Sequence, residues 1–360
     1  MGEKVFMKGN EALGEAAVRS GCRLFFGYPI TPASELAEYM AYRLPQVGGV
    51  FIQAESEVAA SNMIYGAGAA GKYAMTASSS PGISLMQEAI SYMAGAEVPA
   101  VIINLIRGGP GLGDIQPAQS DYFQAVKGGG HGDYRNLVYA PSTLQEAVDI
   151  MPLLFQNAFK YRMLAMMVVD GLVGQMMEAV EFKYDIDPDS IPVPDWALSG
   201  KKMHGGTKNV NTSLELDPNK LAAHNFKLFE KYQKVYENER MFEAFELEES
   251  DIDVMIVAYG TAARIIKTAV KNLRAKGYKV GLFRPITLWP FPDKELKEYA
   301  QKTEHVLTVE MSMGQLIEDV KLSIFDPNKK YHLMPYPGGI VPTPKEVEDK
   351  VIEILKGGAK

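Results

Sequence analysis

The chain has 360 residues, 47% of them hydrophobic, with a net charge of −7 and one cysteine. That length and apolar content can fill more than one core and predict two domains, while a negative net charge without a basic stripe or lysine-rich tail argues against a nucleic-acid partner. Apolar stretches such as residues 98–106 are too short to span a bilayer and the first ten residues lack the apolar core of a signal peptide, so a cytoplasmic protein with no membrane role is expected.

In chain order, residues 10–20 read as a helix and 24–27 as a buried strand. Cys22, beside that strand, reads as a small buried hydrophobe; a lone cysteine closes no internal disulfide and holds no iron–sulfur cluster, so any cluster must sit on another chain. A helix over 35–43 leads to a strand at 50–53, a small-residue helix over 58–71 to a strand at 73–77, and a helix over 83–94 to a strand at 100–105. Strands at 137–140 and 163–170 flank a helix capped by Ser142. This alternation predicts a parallel sheet covered on both faces over residues 1–190. The Asp- and Pro-rich run 184–195 reads as a linker. Asp217 and Pro218 start a helix with apolar residues at Leu221, Phe226, Phe229 and Tyr232, so 191–250 is expected to be a linker and helical connecting segment over a domain joint or a partner. A second α/β unit over 251–360 begins with a strand at 254–258, a helix over 262–276 stopped by Gly277, and strands at 279–283 and 306–309.

Candidate chemistry gathers where strands end. Gly-Tyr-Pro-Ile-Thr-Pro at 27–32 follows an apolar strand, and Thr31 and Pro32 are residue types favoured at the N-cap and first position of a helix. Free N–H groups there, with the Thr31 hydroxyl, suit the carboxylate of a small acid; alternatively Thr31 only caps its helix. Glu57, in Ala-Glu-Ser-Glu-Val-Ala-Ala at 54–60, precedes a helix carrying Gly66, Gly68 and Gly71, small enough to admit a cofactor ring or a partner helix. Its plainer reading is a first-turn acid complementing the helix dipole. Ser79, in Ser-Ser-Ser-Pro-Gly at 78–82, lines a pocket or simply turns the chain.

Arg107 follows strand 101–106 and opens the glycine-rich loop 108–113. The carboxyl ends of parallel strands bind ligands, and an arginine there grips a carboxylate through two parallel hydrogen bonds, unless it is spent on an ion pair with Asp114 or Asp133. The polar stretch 127–133 is a candidate to close over such a site, with His131 as hydrogen-bond donor or proton shuttle, or else solvated and structural. No spacing of His, Cys and carboxylates suggests a metal centre, and the 19 methionines read as core filler.

The motifs at 27–32 and 54–60, in this order, resemble the 2-oxoacid:ferredoxin oxidoreductases, specifically the alpha subunit that carries the pyrimidine-side domain of a thiamine diphosphate enzyme. Residues 284–292, Arg-Pro-Ile-Thr-Leu-Trp-Pro-Phe-Pro, resemble the C-terminal domain of transketolase-like enzymes. The resemblance implies a pyrimidine-type, thiamine diphosphate-binding doubly wound α/β sheet followed by a transketolase C-terminal-like α/β domain. It implies that Glu57, better in register than Glu55, sets a protonated carboxyl against the pyrimidine ring nitrogen, with Pro29, Ile30 and Ser79 along the cofactor. Thr31 and Arg107 would clamp the substrate carboxylate, and Gly108, Leu112, Ile115 and His131 would line the substrate pocket.

Relatives using 2-oxoglutarate tend to carry Ser-Thr after the Gly-Pro pair, where this chain has Gly111-Leu112 and then Ile115-Gln116-Pro117. That suits an aliphatic tail, hence 2-oxoisovalerate and other branched-chain 2-oxoacids. The Gly-Asp-Gly segment that anchors the Mg²⁺ of thiamine diphosphate is missing; Gly132-Asp133-Tyr134 and Asp170-Gly171 do not fit. The resemblance therefore implies a shared site: a beta subunit holding Mg²⁺ and the diphosphate, iron–sulfur clusters on beta or a ferredoxin-like subunit, and a gamma subunit. The implied reaction is oxidative decarboxylation with coenzyme A to acyl-CoA and CO₂, with electrons passing to ferredoxin. Alternatives are the same chemistry on 2-oxoglutarate, a transketolase or lipoate-type dehydrogenase subunit, and a non-catalytic scaffold.

Overall fold

A computed structural model of the protein describes residues 4–357. The signal-peptide expectation and the outer limits of the two terminal segments rest partly on residues 1–3 and 358–360, which lie outside the described range. The first half runs β1 (Lys4–Lys8), α1 (Gly9–Arg19), β2 (Leu24–Gly27), α2 (Ser34–Gln46), β3 (Val50–Gln53), α3 (Glu57–Ala69), β4 (Ala74–Ser78), α4 (Ser80–Gly95), β5 (Ala100–Ile106), α5 (Tyr122–Val126), β6 (Leu137–Tyr139), α6 (Leu144–Tyr161), β7 (Leu164–Asp170), α7 (Gly171–Gln175) and β8 (Met177–Glu181). The second half runs α8 (Pro218–Asn238), β9 (Phe242–Phe245), β10 (Val254–Val257), α9 (Gly260–Ala275), β11 (Val280–Pro285), β12 (Thr287–Trp289), α10 (Asp293–Ala300), β13 (His305–Glu310), α11 (Leu316–Ile324), β14 (Lys330–Pro335) and α12 (Pro344–Leu355).

Among the described residues these strands form a seven-stranded sheet of order β12-β6-β7-β5-β4-β2-β3, a five-stranded sheet of order β14-β13-β10-β11-β9, and a two-stranded β1-β8 ribbon. Both larger sheets are parallel except at an edge, where β12 and β9 run antiparallel. The fold is thus a doubly wound α/β architecture with a second α/β unit. β5 and β7 are buried along their whole length and almost wholly apolar, as central strands covered on both faces must be. Cys22 is buried, and burial pushes its thiol up to about 12, which leaves it inert. Among the described residues no helix is long and apolar enough to cross a membrane.

Three local expectations are corrected. Helix α2 begins at Ser34 with Ala33 as N-cap, and Thr31–Pro32 is a cis peptide ahead of it. The Thr31 and Pro32 carbonyls accept hydrogen bonds from Arg107 and Asn10 instead of opening the helix. The N-cap of α6 is Thr143, whose Oγ1 accepts from the Glu146 N–H at 3.2 Å, whereas Ser142 donates to the Glu146 carboxylate through its N–H (2.7 Å) and hydroxyl (3.1 Å). On α8 the buried positions are Leu228, Tyr232 and Val235, so of the expected stripe only Tyr232 packs inward; Leu221, Phe226 and Phe229 are exposed.

The two sheets share a polar seam. Gln119 bridges them, donating from its side chain to the Tyr259 carbonyl (2.9 Å) and accepting from the Met311 N–H (2.9 Å). The 284–292 string leaves β11 and crosses over as β12, which pairs with β6 at the edge of the first sheet. Arg284, only 4% exposed along its side chain, donates a fork to Glu146 (2.7 and 2.9 Å) and its Nε–H to Glu243 (2.7 Å).

Arg284→Ala takes one cation from two carboxylates and should cost on the order of 2 kcal/mol, less than the loss from a fully buried pair because Glu146 keeps its Ser142 donors, Glu243 keeps Lys267 and both acids keep some water. A thermal or denaturant unfolding series on the assembled protein reads this as a midpoint several degrees lower. Burial works against the Glu243 charge, but hydrogen bonds from Lys267 and Arg284 hold its carboxyl below its ordinary range. Its contribution is present above the unfolded-state value and is lost as pH falls through the depressed folded-state one, so variant and parent should converge in acid.

Candidate active site

The carboxyl ends of β2, β4 and β5, with the start of α3, meet at one edge of the seven-stranded sheet. Glu57 opens α3 behind the N-cap Ser56, whose hydroxyl accepts from the Ala59 N–H at 3.2 Å. The residue is 5% exposed, and its carboxyl makes no hydrogen bond or ion pair among the described residues. It faces the first turn of α4: a Cβ placed on Gly82 would lie 2.6 Å from Glu57 Oε1 and 2.1 Å from Ser78 Oγ, so only glycine fits. The Ser78 and Ser79 hydroxyls are fully buried and unpartnered. A buried polar atom without a partner costs about 1–3 kcal/mol, so a buried acid beside two orphan hydroxyls marks a place built to receive a polar group.

Arg107 stands at the end of β5 and is 6% exposed. Its Nη1 donates to the Thr31 carbonyl (2.9 Å) and its Nη2 to the Leu112 carbonyl (3.1 Å), while Nε is buried without a partner. The ion-pair alternative is not what the structure holds. Asp114 accepts from the Gln116 N–H (2.9 Å), Asp133 lines a cleft beside α8, and no carboxylate lies within ion-pair distance of the guanidinium among the described residues. The glycine-rich loop folds back on itself, Gly108 N–H to Gln116 O (3.0 Å) and Asp114 N–H to Gly108 O (3.1 Å). Gly113 sits at φ +60°, with a Cβ there only 1.7 Å from the Gly108 carbonyl oxygen, so this turn too requires glycine.

The structure therefore brings Thr31, Arg107 and Gly108 together and sets Glu57 and Ser79 at the neighbouring strand exit. Pro29 is exposed and Ile30 half-buried on the rim after β2, and Leu112 and Ile115 stand out from the loop at 78% and 57% exposure. His131 is elsewhere. Its carbonyl accepts from Ser91 Oγ (2.6 Å), its ring meets Tyr92 edge-on, and Ser91 lies eleven residues beyond Ser80 on α4, about 16 Å along the axis. Within the 127–133 stretch Lys127 pairs with Asp319 on α11, and the backbone of Gly129 and Gly130 lies flush against Gln87 and Ser91 on α4. His131 instead lines a cleft of about 680 Å³ with residues 212–215 and the start of α8.

Reading the sequence missed a polar network beneath Arg107. Asp121 Oδ2 accepts from Ser80 Oγ (2.7 Å) and Asn104 Nδ2 (2.9 Å), and Ser80 Oγ accepts from the Arg107 N–H (3.1 Å). The available signal was Asn104, the one polar residue inside the apolar run of β5. Burial pushes the Asp121 carboxyl above its ordinary range, against the hydrogen bonds from Ser80 and Asn104 and the nearby Arg107 charge. Among the described residues no group of three or more His, Cys, Asp or Glu is placed to hold a metal ion.

Residues 15–252 match the family described as pyruvate flavodoxin/ferredoxin oxidoreductase, thiamine diphosphate-binding, and residues 252–347 match pyruvate:ferredoxin oxidoreductase core domain II. The ketoisovalerate oxidoreductase subunit VorB of Methanothermobacter marburgensis is 49% identical over 317 residues, covering 88% of this chain and 89% of VorB. The 2-oxoglutarate synthase subunit KorA of Methanocaldococcus jannaschii is 36% identical over 364 residues, covering 96% of this chain and 99% of KorA. The solved structure of the 2-oxoglutarate:ferredoxin oxidoreductase of Magnetococcus marinus, with 2-oxoglutarate, coenzyme A and succinyl-CoA bound, superposes with a TM-score of 0.86 at 26% identity. That match covers 98% of this chain, which spans 66% of the solved chain.

Proposed function

The chain belongs to the 2-oxoacid:ferredoxin oxidoreductases, enzymes that act as multi-subunit complexes, and from that premise we propose that it supplies the pyrimidine-side half of a thiamine diphosphate site acting on branched-chain 2-oxoacids. The observation that carries the active-site reading is the buried Arg107, unpaired with any carboxylate and joined to Thr31 at the strand exit beside Glu57. Two of the five guanidinium N–H donors are used by carbonyls, which leaves Nε–H and others to receive the substrate carboxylate in a charge-assisted fork.

The residues present fit the aminopyrimidine end of the cofactor: a buried acid with no competing partner, two orphan hydroxyls, and a glycine where a Cβ would block the approach. When bound, thiamine diphosphate supplies the nucleophilic carbon and the electron sink that decarboxylation of a 2-oxoacid requires. Glu57 holds and exchanges a proton at the pyrimidine ring nitrogen, with Ser79, Pro29 and Ile30 alongside. Thr31 and Arg107 orient the acid, and Gly108, Leu112 and Ile115 face its tail. His131 is left out of this group because α4 separates it from Arg107.

The rest of the assembly is part of the same proposal. A beta subunit carries Mg²⁺ and the diphosphate, iron–sulfur clusters sit on beta or on a ferredoxin-like subunit, and a gamma subunit completes a cytoplasmic complex. Coenzyme A takes the acyl group and ferredoxin the electrons. The exposed apolar rim of Tyr28, Val58, Leu85, Leu112 and Ile115 supports a partner chain closing the site. The branched-chain preference rests on the apolar Leu112 and Ile115 and on 49% identity to a ketoisovalerate subunit against 36% to a 2-oxoglutarate one.

Anaerobic viologen reduction by the complex, with coenzyme A, tests the preference. The expected result is a kcat/KM for 2-oxoisovalerate at least about tenfold above that for 2-oxoglutarate, since a second carboxylate would be buried against apolar side chains. The reverse order would keep the reaction type and remove the branched-chain assignment.

A further inference from the structure

One carboxylate oxygen ties together three elements under the candidate substrate arginine. Asp121 precedes α5; its Oδ2 accepts from Ser80 Oγ (2.7 Å) at the start of α4 and from Asn104 Nδ2 (2.9 Å) inside β5. The Ser80 N–H donates to Asn104 Oδ1 (3.2 Å), which closes a ring of three side chains. The Arg107 N–H donates to Ser80 Oγ (3.1 Å), so the backbone from which the guanidinium springs is fixed by this ring.

The arrangement has a specific physical merit. A carboxylate bonded directly to Arg107 would occupy the fork that a substrate carboxylate must use. Asp121 instead spends its hydrogen bonds on Ser80 and Asn104, so it braces the arginine's surroundings while the fork stays open. The two guanidinium bonds to the Thr31 and Leu112 carbonyls set the orientation of the side chain's far end, and the Ser80 bond sets its near end.

We propose that Asp121 is the positioning residue of the 2-oxoacid carboxylate site: it holds Arg107 at the exit of β5 through Ser80 and Asn104, and so sets substrate affinity without touching substrate. This rests on the reading of Arg107 as the carboxylate grip.

The test uses the assembled complex and the 2-oxoacid that the parent complex turns over. Asp121→Ala should raise KM about tenfold with kcat within about twofold, because a displaced fork loses binding rather than chemistry. Binding of the same 2-oxoacid to thiamine-free complex, followed by calorimetry, should weaken in parallel. Asp121→Asn keeps an acceptor for Ser80 and Asn104 and should recover most of the affinity. Parent-like KM in Asp121→Ala, a fall in kcat and thermal midpoint with KM unchanged, or no recovery in Asp121→Asn would each overturn the proposal. Arg107→Ala separates the two levels. An unchanged KM there removes the underlying reading, whereas a raised KM beside a parent-like Asp121→Ala removes only the role of Asp121.

Discussion

Glu57→Gln should lower kcat by about 10²- to 10⁴-fold, the range that one positioned proton-transfer group contributes. Glutamine has nearly the shape of glutamate and still fills the slot between α3 and the first turn of α4, so packing against Gly82 and Ser78 is kept. What it cannot do is exchange a proton with a ring nitrogen. Because the Glu57 carboxyl has no other partner among the described residues, no ion pair or hydrogen-bond network is broken by the change, and the thermal midpoint should stay near that of the parent. Steady-state turnover and thiamine diphosphate affinity of the assembled complex check this together. A kcat within about tenfold of the parent would remove Glu57 from the proton path. A complex that no longer binds cofactor would assign it a holding role instead.

Arg107→Ala should raise KM for the 2-oxoacid by about 10²- to 10⁴-fold. Hydrogen bonds to charged groups contribute about 1.5–3 kcal/mol each, and a two-pronged grip on a carboxylate loses both. Stability should fall modestly: water can replace the donors lost by the carbonyls of the exposed Thr31 and Leu112, but the buried Asp121 carboxyl loses a nearby positive charge. Arg107→Lys keeps the charge but not the planar fork and should fall between parent and alanine. Initial-rate kinetics over a wide range of substrate concentration measure both. Parent-like KM in the alanine variant would move the carboxylate site away from β5.

Most of the secondary structure of the first half was legible because its signals are local. β2 and β3 have the limits their apolar runs imply, and the helix between them differs by only a few residues at its ends. The strands β1, β8, β9, β12 and β14 carry no comparable pattern, because the ladder partner that makes each a strand comes from distant sequence. Helix α8 was recognisable from Asp217, whose side chain accepts from the Asn219 N–H at 2.9 Å, but not which of its apolar residues turn inward.

The amino-acid sequence by itself determined the doubly wound architecture, the glycine-bearing loop after β5, and the chemical types at the strand exits: an acid before a small-residue helix, an arginine after a buried strand, serines before α4. Only the tertiary structure decided what those residues meet. The Thr31 carbonyl is claimed by Arg107, 76 positions away, and Pro32 by Asn10, so the helix starts later than its capping residues suggest. Arg284 finds Glu146 across 138 positions, and Asp121 finds Ser80 across 41. His131 lies near the C-terminal end of α4, the other end from Ser80, although it follows Arg107 by only 24 residues. The physical reason is range: helix and strand periodicity is written in neighbours a few residues apart, whereas a side chain's hydrogen-bond partner depends on how sheets and helices stack, and distance along the chain does not encode that.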